Sequence, residues 1–257
     1  MSFITALNNK EKRIVNDSPL AKFTFDQLES ASQYYRENGY VVFSDLLSAE
    51  EISEILDGYE EAKQQGSINY NLTEFLNNDD SVYQHPAFKK YVYHNKICDI
   101  VEVLLDSGAG IELQHCKLND KPSNADVGTI PWHQDYPYFP HTNYDLLAAS
   151  VHFDNETLAS GPLMVLPGSH KWGPLSHVID QSFSGAVVDS KEIENCEFVP
   201  LLCQSGDVHF HHCFLVHQSS PNVSKIRRRQ LIYQYRAEDA VQLAGPLWNC
   251  SGMTIRT

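Results

Sequence analysis

Between Phe25 and Glu37, apolar and aromatic side chains recur at intervals of three and four, the period of a helix with one buried face. Gly39 follows where a left-handed helix stop belongs. Tyr40-Val-Val-Phe43 is a short β-branched and aromatic run, and it predicts a strand. Ser48-Ala-Glu-Glu51 has the form of a capping box, in which the hydroxyl accepts a backbone N–H and the carboxylate reaches back; it opens a helix through Ile52, Ile55 and Leu56 towards Ala62. Residues 64–84 are polar and Asn-rich and read as a loop with one helical turn, and a further helix is predicted from Pro86 to Leu105.

From Ile111 onwards the pattern changes to short runs with a period of two. Strands are predicted at Ile111–Leu118, Ile130–His133, Leu146–Phe153, Leu163–Leu166, Glu197–Leu202, Asp207–His212 with Phe214–His217, and Arg228–Arg236. Turn chemistry separates them at Lys121-Pro-Ser-Asn, Ser160-Gly-Pro, Pro167-Gly-Ser, Ser205-Gly-Asp and Ser219-Ser-Pro-Asn. Many short strands at this spacing predict a mainly β fold of the jelly-roll or barrel type over 111–240, with a mostly helical part, 1–110, packed on it. The segment 178–195 has no clear period and reads as an insertion or lid. With no repeat and no linker, 1–257 is expected to be one domain.

Composition narrows the class. Hydrophobic residues at 42% of 257 exclude a disordered chain, and a formal charge of −14 argues against nucleic-acid or anionic-membrane surfaces, which need clustered cations. Arg227-Arg228-Arg229 is the one tight basic cluster. Six dispersed cysteines without a Cys-x-x-Cys pair read as free thiols in a reducing compartment. No stretch approaches the roughly 18 apolar residues of a membrane span, and the first residues lack an apolar leader, so a soluble cytoplasmic protein, monomer or homodimer, is expected. The Ile255-Arg-Thr257 ending is unlike a peroxisomal address.

Three groups of residues can carry chemistry. His133-Gln-Asp135 places an imidazole and a carboxylate two apart, on one face of an extended segment, where both can meet one ion. Taken alone, such a triplet reads more readily as a surface turn. Four histidines, His209, His211, His212 and His217, then fall in nine residues of strand-like sequence. Alternation puts His209, His211 and His217 on one face and His212 on the other, and a mononuclear iron site needs only two histidines and a carboxylate, so most of the four are structural. Arg228 follows eleven residues after His217; alternation sets it opposite to Arg227 and Arg229, and its planar fork suits a carboxylate.

In this order the residues resemble the phytanoyl-CoA dioxygenase family of iron(II)- and 2-oxoglutarate-dependent oxygenases. The resemblance runs from Glu37-Asn-Gly-Tyr-Val-Val-Phe43 and Leu47-Ser-Ala-Glu-Glu51 through Trp132-His-Gln-Asp135 and Gly161-Pro-Leu-Met-Val-Leu-Pro-Gly-Ser-His170. It continues to Gly206-Asp207, His212, His217-Gln-Ser219, Asn222, Ser224 and Arg228. It implies a double-stranded β-helix, Fe(II) held by His133, Asp135 and His217, and 2-oxoglutarate bound at its far carboxylate by Arg228 and Ser219. Lys117, Asn119 and Gln134 are further cosubstrate candidates. O2 would be the second cosubstrate, succinate and CO2 the by-products, and the outcome oxidation, by default hydroxylation, of a small molecule such as an amino-acid derivative, organic acid or natural-product intermediate. Tyr136, Tyr138, Phe139, His141, His170, Tyr233, Tyr235 and Arg236 are candidate pocket walls, with core packing the competing reading of each aromatic. Two departures stand out: a tryptophan common in the family is absent from Ala148-Ala-Ser-Val-His-Phe153, and Gln218 stands where Gly is usual. Retention of Asp135 speaks against halogenation. A zinc hydrolase using the same three ligands and a non-catalytic jelly-roll binding protein remain the alternatives.

Overall fold

Two antiparallel sheets carry the fold of the computed structural model, which describes residues 19–66, 76–77, 85–124, 128–188, 193 and 196–257. The larger sheet contains, in spatial order, β1 (Tyr40–Phe43), β10 (Val208–His212), β5 (Leu146–His152), β12 (Arg228–Ala237), β3 (Ile111–Lys121) and β13 (Met253–Arg256), and β2 (Leu76–Asn77) also pairs with β3. The smaller contains β4 (Ile130–His133), β11 (His217–Ser219), β6 (Leu163–Val165) and β9 (Val199–Pro200). Neighbours in both sheets are distant in sequence, the connectivity of a double-stranded β-helix. A separate exposed hairpin joins β7 (Val178–Ile179) to β8 (Ser182–Phe183), inside the segment expected as an insertion; 189–192 and 194–195 lie outside the described residues.

Among the described residues four α-helices, α1 (Leu28–Asn38), α2 (Ala49–Gln64), α3 (Pro86–Val92) and α4 (Asn95–Leu105), accompany the sheets. Gly39 ends α1 at φ 79°, with its N–H donating to Tyr35 O at 2.7 Å. The capping box of α2 is formed on both sides: Glu51 N–H donates to Ser48 Oγ at 3.3 Å and Ser48 N–H to Glu51 Oε2 at 2.8 Å. The single helix expected over Pro86–Leu105 is two, because His94 is extended (φ −61°, ψ 122°) and its carbonyl starts α4 by accepting from Cys98 N–H. Most of the loop expected over 64–84 lies outside the described residues. The strand expected at Phe214–His217 is a turn, closed by Leu215 N–H to His212 O at 2.9 Å and Phe214 N–H to His212 Nδ1 at 3.0 Å. Pairing therefore begins at His217 and runs on through Ser219, where a turn was expected.

Alternation divides the large sheet into two chemically different faces. Leu147, Ala149 and Val151 of β5, Val208 and Phe210 of β10, and Leu231, Tyr233 and Tyr235 of β12 form the main apolar core with residues from all four helices. The intervening positions, including Ser150, His209, His211, Arg228 and Gln230, face the space between the sheets and line a polar cavity. β3 keeps the same division only because a register irregularity opposite Gln234 and Tyr235 shifts its parity, leaving Leu113 and Leu118 in the core and Lys117 and Asn119 at the cavity. None of the six cysteines is in a disulfide, and among the described residues no helix is long and apolar enough to cross a membrane.

Candidate active site

His217 lies in register with His133 on one side and Val165 on the other, so sheet pairing itself brings two histidines from distant sequence together. Their ring centroids are 4.1 Å apart. Asp135, just beyond β4, completes the set, with Oδ1 at 3.7 Å from His133 Nε2 and 3.8 Å from His217 Nε2. Each imidazole is fixed by its other nitrogen: Nδ1–H of His133 donates to Pro131 O at 2.8 Å, and Nδ1–H of His217 to Leu215 O at 2.9 Å. Both Nε2 lone pairs are thereby aimed at the point faced by Asp135 Oδ1. Burial pushes His133 down to about 4 and His217 well below the ordinary histidine value, so both stay neutral, as ligands must.

Asp135 is held from behind. Its Oδ2 accepts from Gln234 Nε2 at 2.8 Å and from His211 Nε2 at 3.2 Å. Burial alone would raise its pKa, but the His211 hydrogen bond, the neighbouring His217 and the Lys117 cation outweigh it and keep the carboxyl ionised well below the usual range. A second buried group, His152, Cys203 and His209, also brings three donor atoms close. There one nitrogen of each imidazole is taken by the other ring, His152 Nε2 and His209 Nδ1 lying 2.8 Å apart, and the group adjoins the Arg228 cation.

Arg228, Ser219, Asn119 and Lys117, all expected at the cosubstrate, line the cavity that also holds the three ligand residues. Several polar atoms in it have no partner: Nη1 of Arg228, Oδ1 of Asn119, Oγ of Ser150 and Nε2 of His209. Unpaired buried polar groups are costly, so a cavity with several of them is built to receive a polar ligand. A metal-chelating 2-oxo acid with a second carboxylate satisfies both ends, and the two neutral imidazoles with one carboxylate fit iron(II).

Other expectations are corrected. Gln134 turns away from the cavity: its Nε2 donates to Gly173 O and Phe214 O, and its Oε1 accepts from Leu175 N–H. Tyr233 and Tyr235 point to the helical face, with hydroxyls on Phe88 O and Val92 O. Arg236 is at the strand end, bound to Glu112. His141 is a buried linker between Phe139 O and Gln114, Phe139 packs on His115 and Trp248, and Tyr136 bonds His141 O while packing on Phe214. His170 meets Arg36 O and the ring of His212, so these two histidines sit away from the cavity. Tyr138 alone of these candidates touches the site, with its ring 5.8 Å from His133 and its hydroxyl on Gly185 O. The basic cluster is no patch: Arg227 pairs with Asp120, Arg229 with Asp154 and Arg228, buried, with Glu156.

Four residues at the site were not anticipated from the sequence. Ser150, Gln230 and Gln234 were within reach of alternation, since they share parity with cavity-facing neighbours. Glu156 lies outside any strand, and nothing local marks it.

A double-stranded β-helix with two histidines and an aspartate converging beside a buried arginine defines the mononuclear iron(II)- and 2-oxoglutarate-dependent oxygenases. The family model for phytanoyl-CoA dioxygenase (PhyH) matches residues 35–230, and the chain belongs to that family. It is 30% identical over 243 residues to a probable alpha-ketoglutarate-dependent hypophosphite dioxygenase of Stutzerimonas stutzeri, covering 82% of this chain and 79% of that protein. It is 25% identical over 231 residues to peroxisomal phytanoyl-CoA dioxygenase of Homo sapiens, covering 80% and 68%. The crystal structure of the non-heme alpha ketoglutarate dependent carbocyclase SnoK superposes with a TM-score of 0.74 at 22% identity, over 88% of this chain and 90% of that one.

Proposed function

We propose that the chain oxidises a small organic molecule, hydroxylation being the default outcome, with His133, Asp135 and His217 holding iron(II) and Arg228 and Ser219 holding the far carboxylate of 2-oxoglutarate. The observation that carries this is the shared cavity: the three ligand residues and the unpaired edge of Arg228 face the same space. A zinc hydrolase would use the three ligands but leave Arg228 without a purpose, and a binding protein would have no need of two imidazoles with fixed tautomers.

When bound, iron(II) supplies O2 activation coupled to decarboxylation of 2-oxoglutarate to succinate and CO2. The protein's own groups do the rest. Gln234 and His211 keep Asp135 ionised and oriented, Pro131 O and Leu215 O fix the imidazoles, and the apolar Ile130, Leu163 and Ile232 of the cavity wall limit water. Lys117 lies on the cavity-facing side of β3, two residues before Asn119, and its cation suits a substrate that bears an acid group. The relative named for hypophosphite is consistent with a compact, anionic substrate.

The test is anaerobic addition of Fe(II) and 2-oxoglutarate. A visible charge-transfer band and, in air, succinate release that rises with candidate organic acids are expected. Absence of the band together with absence of succinate would refute the reading, and His133→Ala or Asp135→Ala with full turnover would refute the ligand set.

A further inference from the structure

The polar end of the cavity is held by two residues that do not themselves reach the ligand space. Glu156 is buried at 4% exposure, and its Oε1 accepts from Arg228 Nε at 2.9 Å, Gln230 Nε2 at 2.9 Å and His152 Nδ1 at 3.2 Å. Arg228 is thus gripped by its Nε edge while Nη1 stays unpaired. Lys121 is buried at 1% exposure on β3, directly opposite Arg228 in the register with β12. Its ammonium donates to Ser219 Oγ at 2.8 Å and to Ser220 O at 2.6 Å. A hydroxyl that accepts from an ammonium keeps its own proton for another acceptor, and Ser219 lines the cavity.

We propose that Glu156 and Lys121 are positioning residues for the cosubstrate: Glu156 orients the free edge of Arg228, and Lys121 orients the Ser219 hydroxyl, so that both donors meet one carboxylate. The inference rests on the cosubstrate reading above. Charge supports it independently. Glu156 balances Arg228, and two buried cations without a second anion would repel each other. Burial and the Arg228 charge push the Lys121 amine well below its ordinary value, while Glu156 opposes this. Burial likewise disfavours the Glu156 charge, but His152 and Arg228 outweigh it and keep the carboxyl below its usual range. One entering carboxylate therefore brings a second anion, which favours the charged form of Lys121 that burial and Arg228 oppose. Preorganised donors spare the ligand the cost of ordering them, and this appears as affinity.

The experiment is titration of 2-oxoglutarate into the anaerobic Fe(II) protein, read by the charge-transfer band, together with KM and kcat in air and the melting temperature of each variant. Glu156→Ala is expected to weaken 2-oxoglutarate about 10- to 100-fold, the effect of removing one charge-assisted hydrogen bond, with kcat at saturation changed less than about 3-fold. Glu156→Gln keeps an acceptor oxygen for Arg228 Nε and is expected to recover most of that loss. Lys121→Met is expected to raise KM for 2-oxoglutarate about 10-fold. If Glu156→Ala fails to fold, the Glu156→Gln and Lys121→Met pair still decides. A wild-type band with variants of unchanged 2-oxoglutarate affinity, or with reduced kcat at unchanged KM, overturns the positioning role and leaves the oxygenase reading intact. A wild-type protein that gives neither band nor succinate overturns both.

Discussion

Gln234→Leu removes the shorter of the two hydrogen bonds that hold Asp135 from behind, at nearly constant volume. The amide sits on β12, 99 residues from its partner, and donates to Oδ2 at 2.8 Å; His211, at 3.2 Å, is the remaining donor. A hydrogen bond to a charged group contributes about 1.5–3 kcal/mol, and about 1.4 kcal/mol is a factor of ten, so metal affinity should fall about 10- to 100-fold. The loss should be selective, because Gln234 does not touch Arg228 or Ser219. Competition of the protein with a chromophoric chelator for Fe(II) or Mn(II), without oxygen, measures it. The half-saturating concentration of 2-oxoglutarate in metal-saturated protein should stay within about 3-fold, since the hydrogen bond to Asp135 supports the metal side alone. Metal affinity equal to wild type would show that Gln234 only fills space and that His211 suffices to orient the carboxylate.

Three further outcomes are expected. His115 and His212 are pushed down to about 3 and His141 to about 4, in each case first by burial. The unfolded chain binds these protons near the ordinary value of about 6.5, so their stabilisation is complete above that pH and is lost as pH falls towards 4, each adding about 1.4 kcal/mol per pH unit; urea midpoints of the metal-free protein that stay level between pH 6.5 and 4.5 would contradict this. Gly161→Ala places a methyl 2.2 Å from Ser220 O at φ +71°, against the turn that Lys121 binds. A loss of at least about 2 kcal/mol with weaker 2-oxoglutarate binding is expected, and an unchanged melting temperature would count against it. Ser48→Ala breaks the capping box of α2 and should cost about 1 kcal/mol in denaturant unfolding with no change in cosubstrate affinity.

The sequence by itself determined what is local. Helix stops, the capping box and most strands are written in residues within a few positions of each other, and so is the parity that turns Arg228 away from its two neighbours. The order of His133, Asp135, His217 and Arg228 carried the family resemblance, because a metal and a carboxylate demand those side-chain types whatever surrounds them. Lys121 was nearly legible: it shares parity with Lys117 and Asn119, but the strand was read as ending at Leu118, three residues early.

Tertiary structure decided the rest, because burial and pairing depend on which strands become neighbours. Tyr233 and Tyr235 could wall a pocket or a core; the helices covering that face made them core. Gln134 sits beside two ligands yet faces away, its amide taken by Gly173, Phe214 and Leu175. Glu156 is 72 residues from Arg228, in an irregular connection with no periodicity of its own. Only the crossing of β5 beside β12 places that carboxylate against the guanidinium, and only there does an otherwise ordinary acidic residue acquire a role.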